Sequence, residues 1–298
     1  MSLNILIFGG YGWIGSMFVS YFKQKYADFN IIQSSTRIKP GNEEILKNEI
    51  SKADRVICLL GRTSGTLEDG TVINTIDYLE HQGKLVENIN DNLYSPILLA
   101  SLCQQLNKHL LYLGTGCIFS WDTSINKSTK IKEDNYPNFF GSSYSVVKGF
   151  TDNLTRLFPN VLNCRIRMPI VNYDHSRNFI TKIVNYKKIN DMPNSMTYLP
   201  ELIPIMVQMS IKKEVGTFNM TNPGYTTHSE ILSLYKKFIN SNHSYEIVKE
   251  EKELNLASKR SNNILDTSKL EQWCLDNYVQ LSTIQDAIKH CFNTYNKH

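Results

Sequence analysis

A glycine-rich turn near the N-terminus constrains the fold of this chain more than any other feature. Gly9, Gly12 and Gly15 recur at every third position of the run Gly9-Gly10-Tyr11-Gly12-Trp13-Ile14-Gly15. The turn follows an apolar run at 3–8 and precedes residues 14–26, whose apolar side chains recur at helical intervals. A strand that passes through a turn of this kind into a helix is typical of layered α/β folds.

The same turn predicts a dinucleotide-binding site. Glycines allow the backbone to turn tightly and to approach a pyrophosphate, and the helix N-terminus adds free N–H groups and a positive dipole. An ordinary tight turn is the alternative, but the flanking strand and helix favour the dinucleotide. We therefore expect the cofactor to bind at Gly9, Gly12, Trp13, Ile14 and Gly15.

Strand and helix patterns alternate through the first half of the chain. Strands are predicted at 3–8, 29–33, 55–60, 109–113 and 161–166, and helices at 14–26, 43–51, 84–106 and 142–158. Strands that alternate with helices form parallel sheets with right-handed crossovers. The predicted fold class is therefore α/β, with a Rossmann-type doubly wound parallel sheet and a smaller C-terminal substrate domain.

The alternation breaks after about residue 168, where prolines interrupt shorter elements. We expect residues 1–168 to form the NADP-binding Rossmann domain and residues 169–298 to form mainly the substrate-binding domain. A further strand at 217–220 and a helix at 227–238 are predicted. The segment near 216–238 is expected to return to the first domain.

The composition excludes several classes of protein. The 298 residues carry a formal net charge of only +4, which is too weak to indicate a nucleic-acid partner. No apolar run approaches the roughly 20 residues that a membrane span needs. No signal peptide or metal-ligand spacing is recognisable, and the six cysteines form no C-x-x-C pair. The sequence therefore predicts a cytosolic protein with reduced cysteines and no metal.

The residues after the second predicted strand indicate which dinucleotide binds. A carboxylate at this position would bind the ribose 2′-hydroxyl of NAD. The run Ser34-Ser35-Thr36-Arg37 contains none, and Arg37 can neutralise the 2′-phosphate of NADP. We therefore predict NADP(H) as the cofactor, with an exposed loop arginine as the alternative interpretation of Arg37.

Tyr144 and Lys148 form a Y-x-x-x-K pattern, which puts both side chains on one face of a helix. A nearby ammonium lowers the pKa of a phenol, so that the tyrosine can donate or accept a proton near neutral pH. The spacing also occurs at 21–25 and 245–249, but only Tyr144 opens a helix shortly after a strand that ends in polar residues. Thr115, at the end of that strand, is expected to hydrogen-bond the same substrate oxygen as Tyr144.

Seven longer segments carry a more specific resemblance. They are Thr115-Gly116-Cys117-Ile118-Phe119, Pro137-Asn138-Phe139, Arg165-Ile166-Arg167-Met168-Pro169-Ile170, Arg177-Asn178-Phe179-Ile180-Thr181-Lys182-Ile183, Pro193-Asn194-Ser195-Met196-Thr197, Thr221-Asn222-Pro223-Gly224 and Arg260-Ser261-Asn262-Asn263. With the features above, they resemble the extended short-chain dehydrogenase/reductase family. Within it, they resemble the bifunctional nucleotide-rhamnose synthase/epimerase-reductases of plants and giant viruses, over nearly the whole chain.

The resemblance implies a substrate and a reaction. The substrate is the UDP-sugar UDP-4-keto-6-deoxy-D-glucose, which is epimerised at C3 and C5 and then reduced at C4 with NADPH to UDP-β-L-rhamnose. Tyr144 supplies the proton for reduction, Lys148 supports it, and Thr115 polarises the carbonyl. Gly61 is expected to contact the cofactor, although the run Leu59-Leu60-Gly61-Arg62-Thr63 departs from the usual Ala-Ala-Gly type.

Epimerisation needs a base and an acid on opposite sides of the sugar ring. Cys117 is the candidate base because it follows Thr115 by two residues, with a buried apolar role as the alternative. A thiolate at neutral pH would need a nearby cation or dipole. The resemblance implies Lys182 as the acid, with a solvated helix lysine as the alternative, and His175 is a rival acid because it titrates near neutrality.

The resemblance also implies contacts to the rest of the substrate. Arg260 is expected to hold the diphosphate, with a surface salt bridge as the alternative. Asn178, Asn194 and Ser195 are expected to be further substrate contacts.

Other functions compete with this prediction. A single-function 4-keto-sugar reductase would need neither Cys117 nor Lys182, and a non-catalytic regulatory subunit would usually have lost Tyr144 or Lys148. UDP and dTDP substrates stay open, because uracil and thymine differ by one methyl group. The oligomeric state stays open, with a homodimer as one possibility because paired long helices often dimerise this fold. The expected location is the cytoplasm, or the host cytoplasm if the protein is viral.

Overall fold

The computed structural model describes residues 2–120, 130–249, 251–254 and 258–295, without the side chains of 251 and 252. The strands of this part are β1 (Asn4–Phe8), β2 (Asn30–Ser34), β3 (Arg55–Cys58), β4 (Gly65–Thr66), β5 (Val72–Ile73), β6 (His109–Thr115), β7 (Val161–Ile166), β8 (Pro169–Ile170), β9 (Lys188–Asn190), β10 (Thr197–Tyr198), β11 (Gly216–Asn219) and β12 (Glu246–Val248). Its α-helices are α1 (Trp13–Lys25), α2 (Glu43–Ser51), α3 (Lys84–Ile89), α4 (Ser95–Gln105), α5 (Ser143–Thr155), α6 (Phe179–Val184), α7 (Leu199–Ile211), α8 (His228–Phe238), α9 (Ser268–Asp276) and α10 (Ile284–Asn293). None of the helices described is long and apolar enough to cross a membrane.

A six-stranded sheet in the order β11-β7-β6-β3-β1-β2 forms the largest sheet of the described chain. β1 pairs in parallel with β2 and β3, and β3 pairs in parallel with β6. The chain therefore moves outward from β1 to β2 in one direction and through β3 to β11 in the other. Such a reversal creates a crevice at the carboxyl ends of the strands, next to β1. The predicted α/β class with a parallel sheet is confirmed.

Burial on both faces explains why β1 and β3 are continuous apolar runs. Every residue from Ile5 to Phe8 and from Val56 to Cys58 is buried. Strands covered by helices on both faces have no solvent face that would call for alternating polar residues. Helix α1 covers one face with Phe18 and Phe22, both fully buried. Each such aromatic side chain stabilises the fold by about 1.5–3 kcal/mol.

The structure divides into two compact units that interleave along the chain. The dinucleotide unit comprises Met1–Thr115, Ser143–Arg165 and Ile203–Phe218. The second unit comprises Gly116–Ser142, Ile166–Leu202 and Asn219–His298. These units differ from a single division after residue 168, because β11 joins the central sheet while residues 116–142 cluster with the C-terminal half. Whether either unit corresponds to a separately folding domain stays a prediction.

The predicted helix at 84–106 is interrupted by a π-turn at Asn90–Tyr94. Pro96 has no N–H group, so it cannot donate to the carbonyl oxygen of Asn92 one turn earlier. The hydroxyl of Thr151 donates to that oxygen instead, at 2.6 Å. The hydroxyl of Ser95 likewise donates to the carbonyl oxygen of Asn90 at 2.7 Å. The Thr151 hydroxyl therefore replaces the backbone hydrogen bond that the proline removes, whereas the Ser95 hydroxyl adds to the bond that the N–H group of Ser95 already donates to Asn90.

Helix α7 corrects the interpretation of the prolines after residue 168. Pro200 and Pro204 predict short interrupted elements, whereas the structure has a helix of 13 residues from Leu199 to Ile211. Pro200 lies in the first turn, where a missing N–H group costs no helical hydrogen bond. Pro204 does remove one bond, but Leu202 and Met206 are fully buried, and their packing outweighs that loss.

Candidate active site

The glycine turn has the geometry of a phosphate cradle. Gly9 has a φ of +82°, and the N–H group of Gly12 donates to its carbonyl oxygen at 3.1 Å. A Cβ atom on Gly15 would lie 2.0 Å from the same oxygen, so no other residue fits there. Helix α1 begins at Trp13 and carries no acidic residue in its first turn. The residues present therefore fit a pyrophosphate, because backbone N–H groups and the helix dipole face it without a competing carboxylate.

The loop that follows β3 is the second predicted cofactor contact in the dinucleotide unit. A Cβ atom on Gly61 would lie 3.2 Å from Oδ1 of Asn92, which leaves little room for a side chain. Asn92 accepts a hydrogen bond from the N–H group of Arg62 at 3.0 Å and donates to its carbonyl oxygen at 2.9 Å. The buried amide thus holds both backbone polar groups of Arg62, and with them the course of the loop that follows Gly61.

Arg37 lies beside a carboxylate that sequence analysis did not consider. Its Nη2 is 2.7 Å from Oδ1 of Asp91, and its side chain is 61% exposed. Nε of Arg62 is 2.6 Å from the other oxygen, Oδ2, of the same carboxylate. Two guanidinium groups therefore share one carboxylate, and Nη1 of Arg62 also lies 3.4 Å from Oε2 of Glu87. Asp91 was missed because it lies 54 residues away from Arg37 in the chain.

Tyr144 and Lys148 occupy the first two turns of α5, and both side chains are buried. The ammonium of Lys148 donates a hydrogen bond to the hydroxyl of Tyr112 and lies 4.6 Å from the centre of its ring. Burial, more than any neighbouring charge, raises the pKa of Tyr112 well above its usual value. Tyr112 therefore stays a neutral hydroxyl that orients Lys148, a partner that no sequence pattern indicated. Thr115 is buried at the carboxyl end of the same strand, β6.

In the second unit, Cys117 differs from the other five cysteines. In the part of the chain that the structure describes, none of the six is in a disulfide, and Cys117 alone is partly exposed. Burial raises the pKa of Cys58 and Cys274 to about 11, which keeps those thiols protonated. Cys117 Sγ lies 3.7 Å from Nη1 of Arg167. The role of Cys117 stays a prediction, and its partial exposure and its neighbour Arg167 are the structural facts that bear on it.

Lys182 belongs to a group of cations in the second unit. Burial, with smaller contributions from the charges of Arg177 and Arg260, lowers the pKa of Lys182 to about 8. It therefore exchanges a proton much closer to neutrality than an ordinary lysine does. Burial, followed by the charges of Arg177 and Lys182, lowers the pKa of His175. The positive charges of Arg177 and Arg260 therefore both act on Lys182, and a group of cations of this kind attracts anions.

Three predicted substrate contacts are fully buried: Asn178, Asn194 and Ser195. Asn178 caps α6 by accepting from the N–H group of Ile180 at 3.2 Å, and it donates to the carbonyl oxygens of Val171 and Tyr173. Their role as substrate contacts stays a prediction, whereas the structure gives Asn178 a backbone-fixing task.

Asn194 and Ser195 hold neighbouring segments together. Asn194 accepts a hydrogen bond from Nη2 of Arg167 and another from the N–H group of Asn263, the latter at 3.1 Å. The hydroxyl of Ser195 accepts from the N–H group of Leu265 at 2.9 Å. Arg260 is more accessible and donates to Oγ of Ser258 at 2.7 Å. No group of three metal-ligating side chains occurs among the described residues.

Comparison with models of protein families finds no match. Protein L780 of Acanthamoeba polyphaga mimivirus is 49% identical over 288 residues, which cover 95% of this chain and 96% of that protein. The crystal structure of L780, described as a UDP-rhamnose synthase, superposes with a TM-score of 0.90 and 45% identity, covering 99% of this chain and 100% of that chain.

A bifunctional dTDP-4-dehydrorhamnose 3,5-epimerase/dTDP-4-dehydrorhamnose reductase of Arabidopsis thaliana is 33% identical over 291 residues, 96% of this chain and 91% of that protein. This chain belongs to the same family of bifunctional epimerase/reductases. The resemblance in the sequence motifs is thereby confirmed. A dTDP-4-dehydrorhamnose reductase of Bacillus anthracis, solved in complex with NADP, has the same fold. It superposes with a TM-score of 0.77 at 15% identity, covering 98% of this chain and 99% of that chain.

Proposed function

We propose that this chain epimerises UDP-4-keto-6-deoxy-D-glucose at C3 and C5 and reduces the product at C4 with NADPH, to give UDP-β-L-rhamnose. The Arabidopsis relative is named for both steps, and L780 is described as a UDP-rhamnose synthase. The observation that carries the proposal is the combination of a partly exposed Cys117 beside a cation and a Lys182 whose pKa is about 8. A single-function reductase needs neither group.

NADPH, when bound, supplies the hydride for C4. Gly9, Gly12 and Gly15, with the N–H groups of Trp13 and Ile14, hold its pyrophosphate, and Gly61 lets the backbone approach its ribose. Arg37 holds the 2′-phosphate, and the bacterial reductase of the same fold was crystallised with NADP. Asp91 orients the guanidinium of Arg37 from one side.

Reduction uses groups of the dinucleotide unit. Tyr144 donates the proton to the C4 oxygen as the alcohol forms, and Thr115 hydrogen-bonds the same oxygen. Lys148, oriented by Tyr112, stabilises the tyrosinate that remains. A positioned general acid of this kind contributes about 10²–10⁴-fold to a rate.

Epimerisation uses groups of the second unit. The C4 ketone acidifies the protons on C3 and C5, and the Cys117 thiolate removes one of them to leave an enolate. Lys182 then returns a proton to the opposite face of the same carbon. The net change is inversion at that carbon, with one proton removed and one added. Arg260 and Arg177 bind the substrate diphosphate beside Lys182, because both cations act on that ammonium.

The pKa values favour Lys182 over His175 as the acid. Burial lowers the pKa of His175 from a value that is already near 6.5, so the ring is mostly neutral at pH 7. Lys182, with a pKa of about 8, is still mostly protonated there. His175 also accepts a hydrogen bond from the N–H group of Arg177 at Nδ1, at 3.1 Å.

This assignment predicts the alkaline pH dependence. Because only protonated Lys182 can return a proton, we expect epimerisation to decline as the pH rises through about 8. Lys182→Gln should epimerise slowly at every pH and lose this alkaline decline. Lys187→Gln removes an exposed lysine five residues later and should retain the wild-type profile. If the epimerisation rate of Lys182→Gln declined with the same midpoint pH as that of the wild-type protein, the acid would be another group.

One experiment tests the reaction as a whole. UDP-4-keto-6-deoxy-D-glucose and NADPH are incubated with the protein, and the sugar product is identified by NMR. UDP-β-L-rhamnose, inverted at C3 and C5 and reduced at C4, is the expected product. A 6-deoxyhexose that keeps the original stereochemistry at C3 and C5 would instead identify the protein as a single-function reductase. The dTDP-sugar in a parallel reaction reports the nucleotide preference.

Arg37→Ala tests the cofactor preference. Loss of a charge-assisted hydrogen bond costs about 1.5–3 kcal/mol, and exposure of Arg37 favours the lower limit. We therefore expect the Kd for NADPH to rise about tenfold, while the Kd for NADH stays unchanged. Lys39→Ala, which removes an exposed positive charge two residues later, is the matched control. Equal losses of NADPH and NADH affinity in Arg37→Ala would exclude a 2′-phosphate contact.

We also propose that the chain forms a homodimer in the cytoplasm. Helices α3 and α5 pack against each other, and their exposed apolar side chains Val86, Ile89, Phe150 and Leu154 form the proposed dimer face. A two-fold interface buries the same face of both copies, and such a patch otherwise remains in water.

A charge in the centre of this face tests the dimer. Phe150→Lys should convert the dimer to a monomer in size-exclusion chromatography with light scattering, because an unpaired ammonium would be buried at the interface. Leu275→Lys changes an exposed leucine of α9, outside this face, and should leave the mass unchanged. A wild-type protein that is monomeric at micromolar concentration would refute the proposal.

A further inference from the structure

Arg167 is a buried cation that the described residues provide with no carboxylate. Its side chain lies just after β7 and is 1% exposed. Nη2 donates to the carbonyl oxygen of Ser261 at 2.6 Å and to Oδ1 of Asn194. Nη1 donates to Oγ of Ser261 at 3.1 Å and to the carbonyl oxygen of Gly116 at 3.3 Å. All of these acceptors are neutral, and Nε has no hydrogen-bond partner among the described residues.

Arg165, two residues earlier, shows the usual arrangement for a buried arginine. Its Nε lies 2.8 Å from Oδ1 of Asp152, and its Nη2 lies 2.7 Å from Oδ2. A bidentate carboxylate of this kind offsets much of the cost of removing a guanidinium from water. Arg167 has the same burial without this compensation, so its positive charge needs a different counter-charge.

Cys117 is the ionisable group that meets this need. Its Sγ lies 3.7 Å from Nη1 of Arg167, within the distance of a hydrogen bond to sulfur. Burial lowers the pKa of Arg167 and the charge of Cys117 opposes that shift. Arg167 also acts on His228, whose pKa burial lowers to about 4. His228 is therefore neutral at pH 7 and does not compete as a charge.

We propose that Arg167 is a positioning residue that keeps Cys117 deprotonated and fixes the backbone that carries it. The inference rests on the proposed role of Cys117 as the epimerase base and explains how that base exists at neutral pH. Nη1 contacts both the thiol and the carbonyl oxygen of Gly116, so one group sets the charge and the place of Cys117. Asn194 and Ser261 in turn hold the guanidinium, which gives Asn194 an indirect role in the site.

The first test needs only the wild-type protein and Cys117→Ser. The thiolate absorbs near 240 nm, so the difference in absorbance between the two proteins reports ionisation of Cys117 as the pH is raised. An opposite charge at this distance lowers a pKa by about one to three units. We therefore expect Cys117 to ionise well below the ordinary value of about 8.5. Ionisation at or above that value would overturn the proposal without any change to Arg167.

The second test removes the cation. Iodoacetamide alkylates thiolates, and mass spectrometry locates the label at Cys117 as a function of pH. Arg167→Met should shift the midpoint of the alkylation profile upward by about one to three pH units, and Arg167→Lys should restore most of the shift. Cys291 is buried in the same unit and serves as an internal control, because it becomes labelled only if that unit opens.

The outcomes separate a charge effect from packing. An unchanged profile in Arg167→Met, with Cys291 protected, would make Arg167 a purely structural residue. If Cys291 becomes labelled in Arg167→Met, the variant has opened the second unit. The absorbance titration of the wild-type protein then tests the proposal by itself. Both measurements omit sugar and cofactor, so they stand apart from the proposed reaction: a low thiol pKa with no rhamnose formed would refute the proposed function and retain the pairing.

Discussion

Tyr144→Phe is expected to abolish reduction at C4 while the dinucleotide turn remains intact. The hydroxyl is the proton donor to the forming alcohol, and phenylalanine retains the ring that is buried on α5. Loss of a positioned general acid lowers a rate by about 10²–10⁴-fold. We therefore expect NADPH oxidation in the presence of the 4-keto sugar to fall by that factor, measured by absorbance at saturating substrate.

The chain offers a matched control for this variant. Tyr21 has the same spacing to Lys25 as Tyr144 has to Lys148, but it lies on α1 beyond the glycine turn. Tyr21→Phe should therefore oxidise NADPH at the wild-type rate. Tyr112→Phe should give an intermediate loss, because Lys148 would lose the hydroxyl that orients it and keep the ring. Near-normal reduction by Tyr144→Phe would assign the proton donor to another residue.

Cys117→Ser is expected to separate the two reactions. In D2O without NADPH, the wild-type protein should exchange deuterium into C3 and C5 of the 4-keto sugar, because enolate formation needs no hydride. A serine hydroxyl is far less acidic than a thiol beside Arg167, so exchange should fall by about 10²–10⁴-fold. The variant should still bind NADPH and slowly reduce the unepimerised ketone. NMR of the sugar measures exchange at both carbons.

Three other variants show whether that loss is specific to Cys117. Cys103→Ala changes a fully buried cysteine of the dinucleotide unit and should leave exchange unaffected. Lys182→Ala should give partial exchange, since abstraction can survive without reprotonation from the opposite face. Tyr144→Phe should retain exchange, at a lower rate where its hydroxyl also stabilises the enolate oxygen. Wild-type exchange at both carbons in Cys117→Ser would leave Cys117 a packing residue, with His175 as the next base to test.

Local features of the fold were predictable because their causes are local. The turn at Gly9 and Gly15 depends on backbone room, and the apolar runs of β1 and β3 follow from burial on both faces. Helix α2 begins and ends at the predicted residues, Glu43 and Ser51. Helix α7 was missed, because two prolines indicate a break unless burial of the surrounding apolar side chains is known.

In the candidate site too, some features were predictable from the sequence and others were not. The Y-x-x-x-K spacing, together with a helix that opens shortly after a polar strand end, singled out Tyr144 and Lys148 from the sequence. The motifs around Cys117 and Lys182 indicated the family. The tertiary structure alone decided which partners act on them. Arg167 is 50 residues from Cys117 in the chain, Tyr112 is 36 from Lys148, and Asp91 is 54 from Arg37. Charge and hydrogen bonding act through space over a few ångströms, and sequence spacing does not report such distances between separate elements.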